Sequence, residues 1–170
     1  MQRLVTNQRG MTVAEVLVAV AIIGTGLVAL SAAVPFAAYG IQEGNQLSTA
    51  TFLANQRMEQ VRNAPWQESP AKDCLGVSAV ATAAPVAAAG CGAANTVTFP
   101  DEVPAPVPYA NYNRTVRVTD CNVAPGCSGI VNADLRQVTV SVSYRPMTGI
   151  GVAAATRTKS AVLTMYITKR

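Results

Sequence analysis

The 170-residue sequence contains no histidine, the side chain on which most acid–base and many metal sites depend. Aromatic residues make up only 5% and charged residues only 13% of the chain, against roughly 25% charged in an average soluble domain. The sequence also has no serine–base arrangement and no glycine-rich loop of the kind that cradles phosphate. These absences argue against an enzyme, and we expect neither a cofactor nor a bound metal.

The shortage of charge is concentrated near the N-terminus. Residues 16–38 are 23 consecutive positions without a charged side chain, and as a helix they would extend about 35 Å, enough to cross a bilayer core of about 30 Å. Arg3 and Arg9 precede this run and favour an N-terminus that stays in the cytoplasm. Glu15 lies at the edge of the run, where a carboxylate costs up to roughly 3 kcal/mol on insertion scales. Its presence calls for a specific partner.

The four cysteines, Cys74, Cys91, Cys121 and Cys127, all follow the apolar run. With the N-terminus inside, they lie across the membrane, where disulfides persist. Four cysteines allow three connectivities, and sequence alone does not choose among them. We favour Cys74–Cys91 and Cys121–Cys127, because each pair closes a short loop containing glycine or proline. Free buried thiols remain an alternative, whereas zinc is disfavoured because no Cys-x-x-Cys pair is present.

One long helix is predicted over about residues 12–63, kinked near Pro35 and loosened at Gly40 and Gly44. Pro65 marks its end, since the residue before a proline resists the helical conformation. The second half has one predominantly apolar face at helical spacing. That face comprises Leu47, Thr51, Ala54, Met58 and Val61.

Downstream of the helix the pattern changes to alternation with period two, which is typical of half-buried strands. Residues 70–94 are rich in alanine, glycine and proline and are predicted to form a loop. Four strands are predicted, at 95–99, 112–120, 135–145 and 161–169. Short connections favour an antiparallel sheet whose apolar face needs a cover. We therefore predict an α+β fold in which a small antiparallel sheet packs on the C-terminal half of a membrane-anchored helix.

The stretch RGMTVAEVLVAVAIIGTGLVAL resembles the N-terminal signal of type IV pilins and type II secretion pseudopilins. The resemblance implies that a prepilin peptidase cleaves after Gly10, that Met11 becomes the N-methylated first residue, and that Glu15 is the acid used in assembly. Met11 replaces the commoner phenylalanine, and the helix-bending proline, Pro35, falls later than is usual in major pilins.

The resemblance also implies a pilin-like α/β roll with four parts. These are a leader at 1–10, a transmembrane and filament-core helix at 11–38, an amphipathic continuation at 39–64 and a head at 65–170. The protein would be held in the bacterial inner membrane by a single pass, with its head periplasmic. It would later enter a periplasmic or cell-surface filament.

A weaker likeness in LANQRMEQVRN, residues 53–63, points to V-type minor pilins and the I-type pseudopilin. On this likeness, a minor pilin is the preferred interpretation of the protein, a type II secretion pseudopilin is the second and a major pilin is the third. The partners implied are other pilin or pseudopilin subunits, the prepilin peptidase, an inner-membrane assembly platform and, before assembly, membrane lipid.

The resemblance gives Glu15 a physical role. Cleavage after Gly10 frees a cationic amine at Met11, four residues from Glu15 and so near the same helix face. In a filament, Glu15 would meet the amine of a neighbouring subunit, and breaking such a buried pair costs roughly 3–5 kcal/mol. Small residues recur through the run and permit close helix approach. They are Ala19, Ala21, Gly24, Gly26 and Ala29.

Two other interpretations of the N-terminus remain open. Residues 31–33 offer a small-x-small site for an ordinary signal peptidase, which would leave Val34 first. A plain single-pass anchor would keep Met1 and place Glu15 at the interface with its carboxylate in water.

Several features of the head have alternative interpretations as well. Asp101 and Glu102 could bind calcium, but adjacent carboxylates in a proline-rich loop are more often a solvated turn. The basic residues Lys169 and Arg170, with Arg157 and Lys159, could touch DNA, but scattered cations more often form a solvated edge, so nucleic acid is not an expected partner. Trp66 is expected to plug the core at the helix end, and Asp73 and Asp120 are expected to be turn residues.

Overall fold

The structure, a computed structural model, describes residues 10–88, 90–93, 95–122, 126–146 and 157–170. It contains one long helix, α1 (Val13–Arg62), followed by five strands: β1 (Trp66–Gln67), β2 (Lys72–Asp73), β3 (Tyr112–Asp120), β4 (Leu135–Tyr144) and β5 (Lys159–Thr168). The predicted α+β class is confirmed. The chain divides into two compact units, residues 1–41 and residues 42–170, with the division falling within α1.

The first unit is the apolar part of α1. It is long and apolar enough to cross a membrane, and its large hydrophobic side chains are exposed. The hydroxyl of Thr25 donates to the carbonyl of Ile22 at 2.9 Å, and that of Ser31 to the carbonyl of Leu27 at 2.8 Å. Because these hydroxyls are bonded to their own helix, they would not be unsatisfied polar groups in a hydrocarbon layer.

The helix continues through Pro35, Gly40 and Gly44 without interruption. Pro35 has no N–H to donate to the carbonyl of Ser31, so one intrahelical hydrogen bond is missing at this point. The predicted kink at Pro35 stays a prediction.

The second unit is built on the antiparallel sheet β3-β4-β5. Val116 of β3 lies opposite Val140 of β4, which lies opposite Leu163 of β5. Alternate residues of β3 and β4 point into the core, and five valines are fully buried there: Val116, Val118, Val138, Val140 and Val142. Burial of each such side chain stabilises the fold by roughly 1.5–3 kcal/mol. The last three strand predictions are therefore confirmed to within one or two residues.

The helix face that covers this sheet is rotated from the predicted one. Ala54, Met58 and Val61 are buried as expected, but Leu47 is 48% exposed and the buried set instead includes Ala50 and Leu53. The pattern of apolar residues alone did not reveal that Ala50, like Ala54, would be fully buried in the contact. Small side chains there permit the close packing that a wide apolar stripe does not by itself require.

The predicted strand at 95–99 is wrong. Val97 makes only an isolated bridge with Val86, and the segment's hydrogen bonds go to the preceding loop, as in Thr98 N–H to the Pro85 carbonyl at 3.0 Å. Pro85 directly precedes Val86, and Pro100 follows Val97 by three residues. Neither proline has an N–H to donate to a strand pairing. Phe99 nevertheless enters the core, with 8% of its surface exposed.

Two disulfides tie the loops of this unit, Cys74 to Cys91 and Cys121 to Cys127. This is the sequential pairing that loop spacing favours. The first bond anchors the long alanine-rich segment beside β2. The N–H of Cys74, the residue that follows β2, also donates to the Pro65 carbonyl at 2.8 Å. The second closes the connection that follows β3.

Removing the first disulfide should destabilise the head more than removing the second. The sequence separations are 17 and 6 residues, and the chain-entropy relation then gives about 3 kcal/mol for C74A/C91A and about 2 kcal/mol for C121A/C127A. Urea unfolding of the full chain in detergent, followed by the fluorescence of its single tryptophan, measures both. Equal losses, or the opposite order, would contradict the loop-length explanation.

Candidate functional site

The Gly10–Met11 peptide bond lies in non-helical chain just before α1. Both residues are exposed, Met11 to 76%. A methyl group added at Gly10 would meet no atom within 4 Å, so the described part of the chain does not itself require glycine there. In the described part of the chain the bond is therefore exposed, and no neighbouring atom crowds Gly10.

A capping box formed by Thr12 and Glu15 starts the helix two residues beyond this bond. The Thr12 N–H donates to Glu15 Oε2 at 2.8 Å, and the Thr12 hydroxyl donates to the same oxygen at 3.0 Å. In return, the Glu15 N–H donates to Thr12 Oγ1 at 3.3 Å. This reciprocal pairing satisfies backbone donors that have no partner inside the helix. It also places the carboxylate at the positive end of the helix dipole.

The capping box changes the expected relation between Met11 and Glu15. Because Thr12 is the cap residue and α1 begins at Val13, Met11 precedes the helix and does not share a helix face with Glu15. In the uncleaved chain the residue 11 nitrogen is also a peptide nitrogen and carries no charge. The partner of Glu15 in this form is Thr12, which the sequence pattern T-x-x-E could have indicated.

The surface around Glu15 is apolar and open. The carboxylate lies beside a shallow groove of about 370 Å³ along the helix, lined by Ala14, Glu15, Val18, Ala19 and Ile22. The two alanines leave room for the backbone of another helix to come close. Exposed apolar surface of this extent on one helix is typical of an interaction with a membrane or with other helices.

A buried ion-pair network in the head was missed by the sequence argument. Arg114, only 5% exposed, holds the Glu102 carboxylate with Nε at 2.7 Å and Nη2 at 2.6 Å. Arg114 Nη1 also donates to Gln56 Oε1 at 3.0 Å, and Arg57 approaches Glu102 at 3.4 Å while lying 5.3 Å from the Phe99 ring. The expected solvated turn at Glu102 is therefore wrong. This carboxylate joins β3 to α1.

Asp101 is engaged as well, by the guanidinium of Arg117. Two hydrogen bonds of 2.6 and 2.8 Å join them, and they raise the pKa of Arg117 above its ordinary value. Both carboxylates that could have offered calcium ligands are thus bound by arginines.

Asp73 has the expected turn role and, in addition, forms an ion pair with Arg136 that the sequence argument missed. It accepts a 2.7 Å hydrogen bond from Arg136 and a 2.9 Å hydrogen bond from the Gly76 N–H. Burial by itself raises the pKa of Asp73, but these hydrogen bonds and the charge of Arg136 outweigh it and lower the pKa below its ordinary value. Arg136 stacks 4.3 Å from the ring of Trp66, which is 6% exposed. Trp66 is therefore a core residue at the helix end, as expected. Asp120 is a turn residue, also as expected, and its carboxylate accepts a hydrogen bond from the Asn122 N–H at 3.0 Å.

The four basic residues considered for DNA do not form one surface. Arg157 and Lys159 lie at or just before the start of β5, whereas Lys169 and Arg170 follow its end. Ten residues of extended strand separate the two groups by roughly 33 Å.

Comparison with known proteins identifies the N-terminal segment. Residues 5–31 match the family model described as the prokaryotic N-terminal methylation motif. No curated protein and no solved structure matches the chain significantly. The match covers Gly10, Met11, the Thr12–Glu15 capping box and the first 16 of the 23 uncharged positions.

Proposed function

From this motif, the signal of type IV pilins and pseudopilins, we propose that the chain is a minor pilin, a structural subunit of a type IV pilus-like filament. A prepilin peptidase cleaves between Gly10 and Met11, and the new amino group of Met11 is methylated. Residues 11–38 hold the subunit in the inner membrane, residues 39–64 continue the helix, and the head at 65–170 is periplasmic. The assembly platform then moves the subunit into a filament with other pilins.

The observation that carries this proposal is the position of the Gly10–Met11 bond. It lies in exposed, non-helical chain, immediately before the capping box that starts an exposed apolar helix. A peptidase needs an extended, accessible backbone, and a bond inside α1 would have its N–H and carbonyl groups engaged. Cleavage here would remove the leader without disturbing the first helical turn.

The proposed assembly role of Glu15 is compatible with its capping bonds. Both donors of Thr12 reach Oε2, which leaves Oε1 for a further donor, since an ionised carboxylate accepts about four hydrogen bonds. An ammonium group of a neighbouring subunit could therefore pair with Glu15 while the helix start stays capped. The adjacent groove between Ala14 and Ala19 would admit the neighbouring helix.

Intact mass and N-terminal sequencing of the mature protein test the processing step. We expect a chain that begins at Met11 and carries one additional methyl group. Gly10→Val should abolish cleavage, because a branched side chain would occupy the peptidase site, whereas the matched change Gly26→Val, within the helix, should leave cleavage intact. A chain that begins at Val34 would indicate an ordinary signal peptide, and one that retains Met1 would indicate a plain anchor. Either result would contradict the proposal.

A pseudopilin of a type II secretion system is the second candidate, because the methylation motif is shared by both groups and LANQRMEQVRN resembles the I-type pseudopilin. Abundance and phenotype separate the possibilities. A minor pilin would be a trace component of sheared surface filaments, a major pilin would dominate them, and loss of a pseudopilin would block protein secretion.

A further inference from the structure

Three exposed cations gather at one end of the sheet. Lys159 begins β5 and lies opposite Tyr144, the last residue of β4. Arg145 directly follows Tyr144, and Arg157 precedes Lys159 by two residues. All three are exposed. The antiparallel turn-back of the chain therefore brings together side chains that are up to 14 residues apart in sequence.

This basic end, defined by Arg145, Arg157 and Lys159, is the end at which α1 enters the head. Lys159 forms an ion pair with Glu43, and the hydroxyl of Tyr112 donates to the Gln46 carbonyl at 3.4 Å. Both helix residues belong to the first turns of the second unit. Glu43 is the first charged residue after Glu15, and along the helix it lies five residues beyond Ala38, a rise of about 7.5 Å.

The charge at this end is not balanced. It has three cations and one acid, Glu43, a net charge of 2 positive units. The opposite end of the head carries five basic and five acidic residues: Arg62, Lys72, Arg136, Lys169 and Arg170 against Glu59, Glu68, Asp73, Asp120 and Asp134. Residues 147–156, which lie outside the described part, contain no ionisable side chain and do not alter the comparison.

A polar cleft adjoins the basic end. Its volume is about 490 Å³, and the side chains of Asn111, Asn113, Ser143, Arg145 and Thr158 are among those that line it. Each of these side chains has a hydrogen-bond donor, and none is an acid. Amide, hydroxyl and guanidinium donors around a cleft suit an anion with several acceptor oxygens, such as a phosphodiester.

We propose that the basic end binds the headgroups of anionic phospholipids while the subunit is stored in the membrane. The inference rests on the membrane-embedded stage of the proposed function. Lys159 is paired with Glu43, the first charged residue after the apolar run of α1, and attraction between charges at physiological salt extends over about one Debye length, about 8 Å. Near an anionic surface, each cation is expected to raise the affinity for the membrane about fivefold. The head would then be held against the bilayer until assembly withdraws it.

The test uses the full chain, reconstituted into phosphatidylcholine vesicles with or without phosphatidylglycerol. All native cysteines in the structure are paired, so Ser160→Cys, at an exposed position beside Lys159, gives one site for a fluorophore. Lipids that carry a nitroxide on the headgroup quench this fluorophore only when the basic end lies at the surface. We expect several-fold stronger quenching with phosphatidylglycerol. The difference should disappear between about 0.01 M and about 1 M salt, over which the Debye length falls from about 30 Å to about 3 Å.

Matched variants distinguish binding at the basic end from a general effect of the protein's net charge. R145Q/R157Q/K159Q should lose the enhancement, and R145K/R157K/K159R should retain it. R62Q/K169Q/R170Q removes the same number of cations at the opposite end and should retain it too. Quenching that is independent of phosphatidylglycerol, or lost equally in both glutamine triples, would overturn the inference. Failure of the chain to float with any vesicle would instead contradict the membrane stage of the proposed function.

Discussion

Replacing Glu15 by glutamine should leave cleavage after Gly10 intact and reduce incorporation of the protein into filaments about a hundredfold or more. Glutamine can still accept the two hydrogen bonds from Thr12, because the N3 position of a capping box takes either residue. The substitution therefore removes the charge and keeps the helix start. Loss of one partner from a buried ion pair costs roughly 3–5 kcal/mol, and each 1.4 kcal/mol corresponds to tenfold. The measurement is the ratio of protein in sheared filaments to protein left in the membrane.

The same change at Glu59 is the matched control for this prediction. Glu59 is also on α1, but it lies in the second unit and is paired with exposed Arg62. An exposed pair contributes only up to about 1 kcal/mol, so Glu59→Gln should be incorporated nearly as well as the native chain. If Glu15→Gln entered filaments at the native level, its carboxylate would have no part in assembly.

Replacing Arg114 by methionine should destabilise the head by about 3–5 kcal/mol. Arg114 is 5% exposed. Its removal leaves the Glu102 carboxylate with the 3.4 Å contact to Arg57 as its remaining ion pair among the described residues. Breaking a buried pair on one side costs this much because the remaining charge is left without its partner. Urea unfolding of the full chain in detergent, followed by Trp66 fluorescence, gives the difference by linear extrapolation.

Arg117→Met provides the control, since it removes the same side chain from the opposite face of β3. Its partner Asp101 is 35% exposed at the side chain, so we expect a loss of about 1 kcal/mol or less. The double variant E102L/R114M should lose less than R114M alone, because no uncompensated charge remains. Equal losses of stability in R114M and R117M would show that the buried pair with Glu102 contributes no more to the stability than the more exposed pair with Asp101.

The sequence by itself determined the features that depend on neighbouring residues along the chain. The uncharged run, the methylation motif that includes Gly10 and the alternation in β3, β4 and β5 are local patterns, and each was predicted at nearly the observed position. Local patterns suffice here because helix and strand periodicities place every third or fourth, or every second, side chain on one face. The capping box at Thr12 and Glu15 is equally local.

The tertiary structure alone decided which distant groups meet. Glu102 and Gln56 lie 12 and 58 residues from Arg114, and Asp73 lies 63 residues from Arg136, so no sequence spacing relates them. The buried face of the second half of α1 and the loss of the strand at 95–99 were likewise settled by what each segment packs against. Buried charges must find partners wherever the fold supplies them, and that choice depends on three-dimensional packing, which periodicity along the chain does not encode.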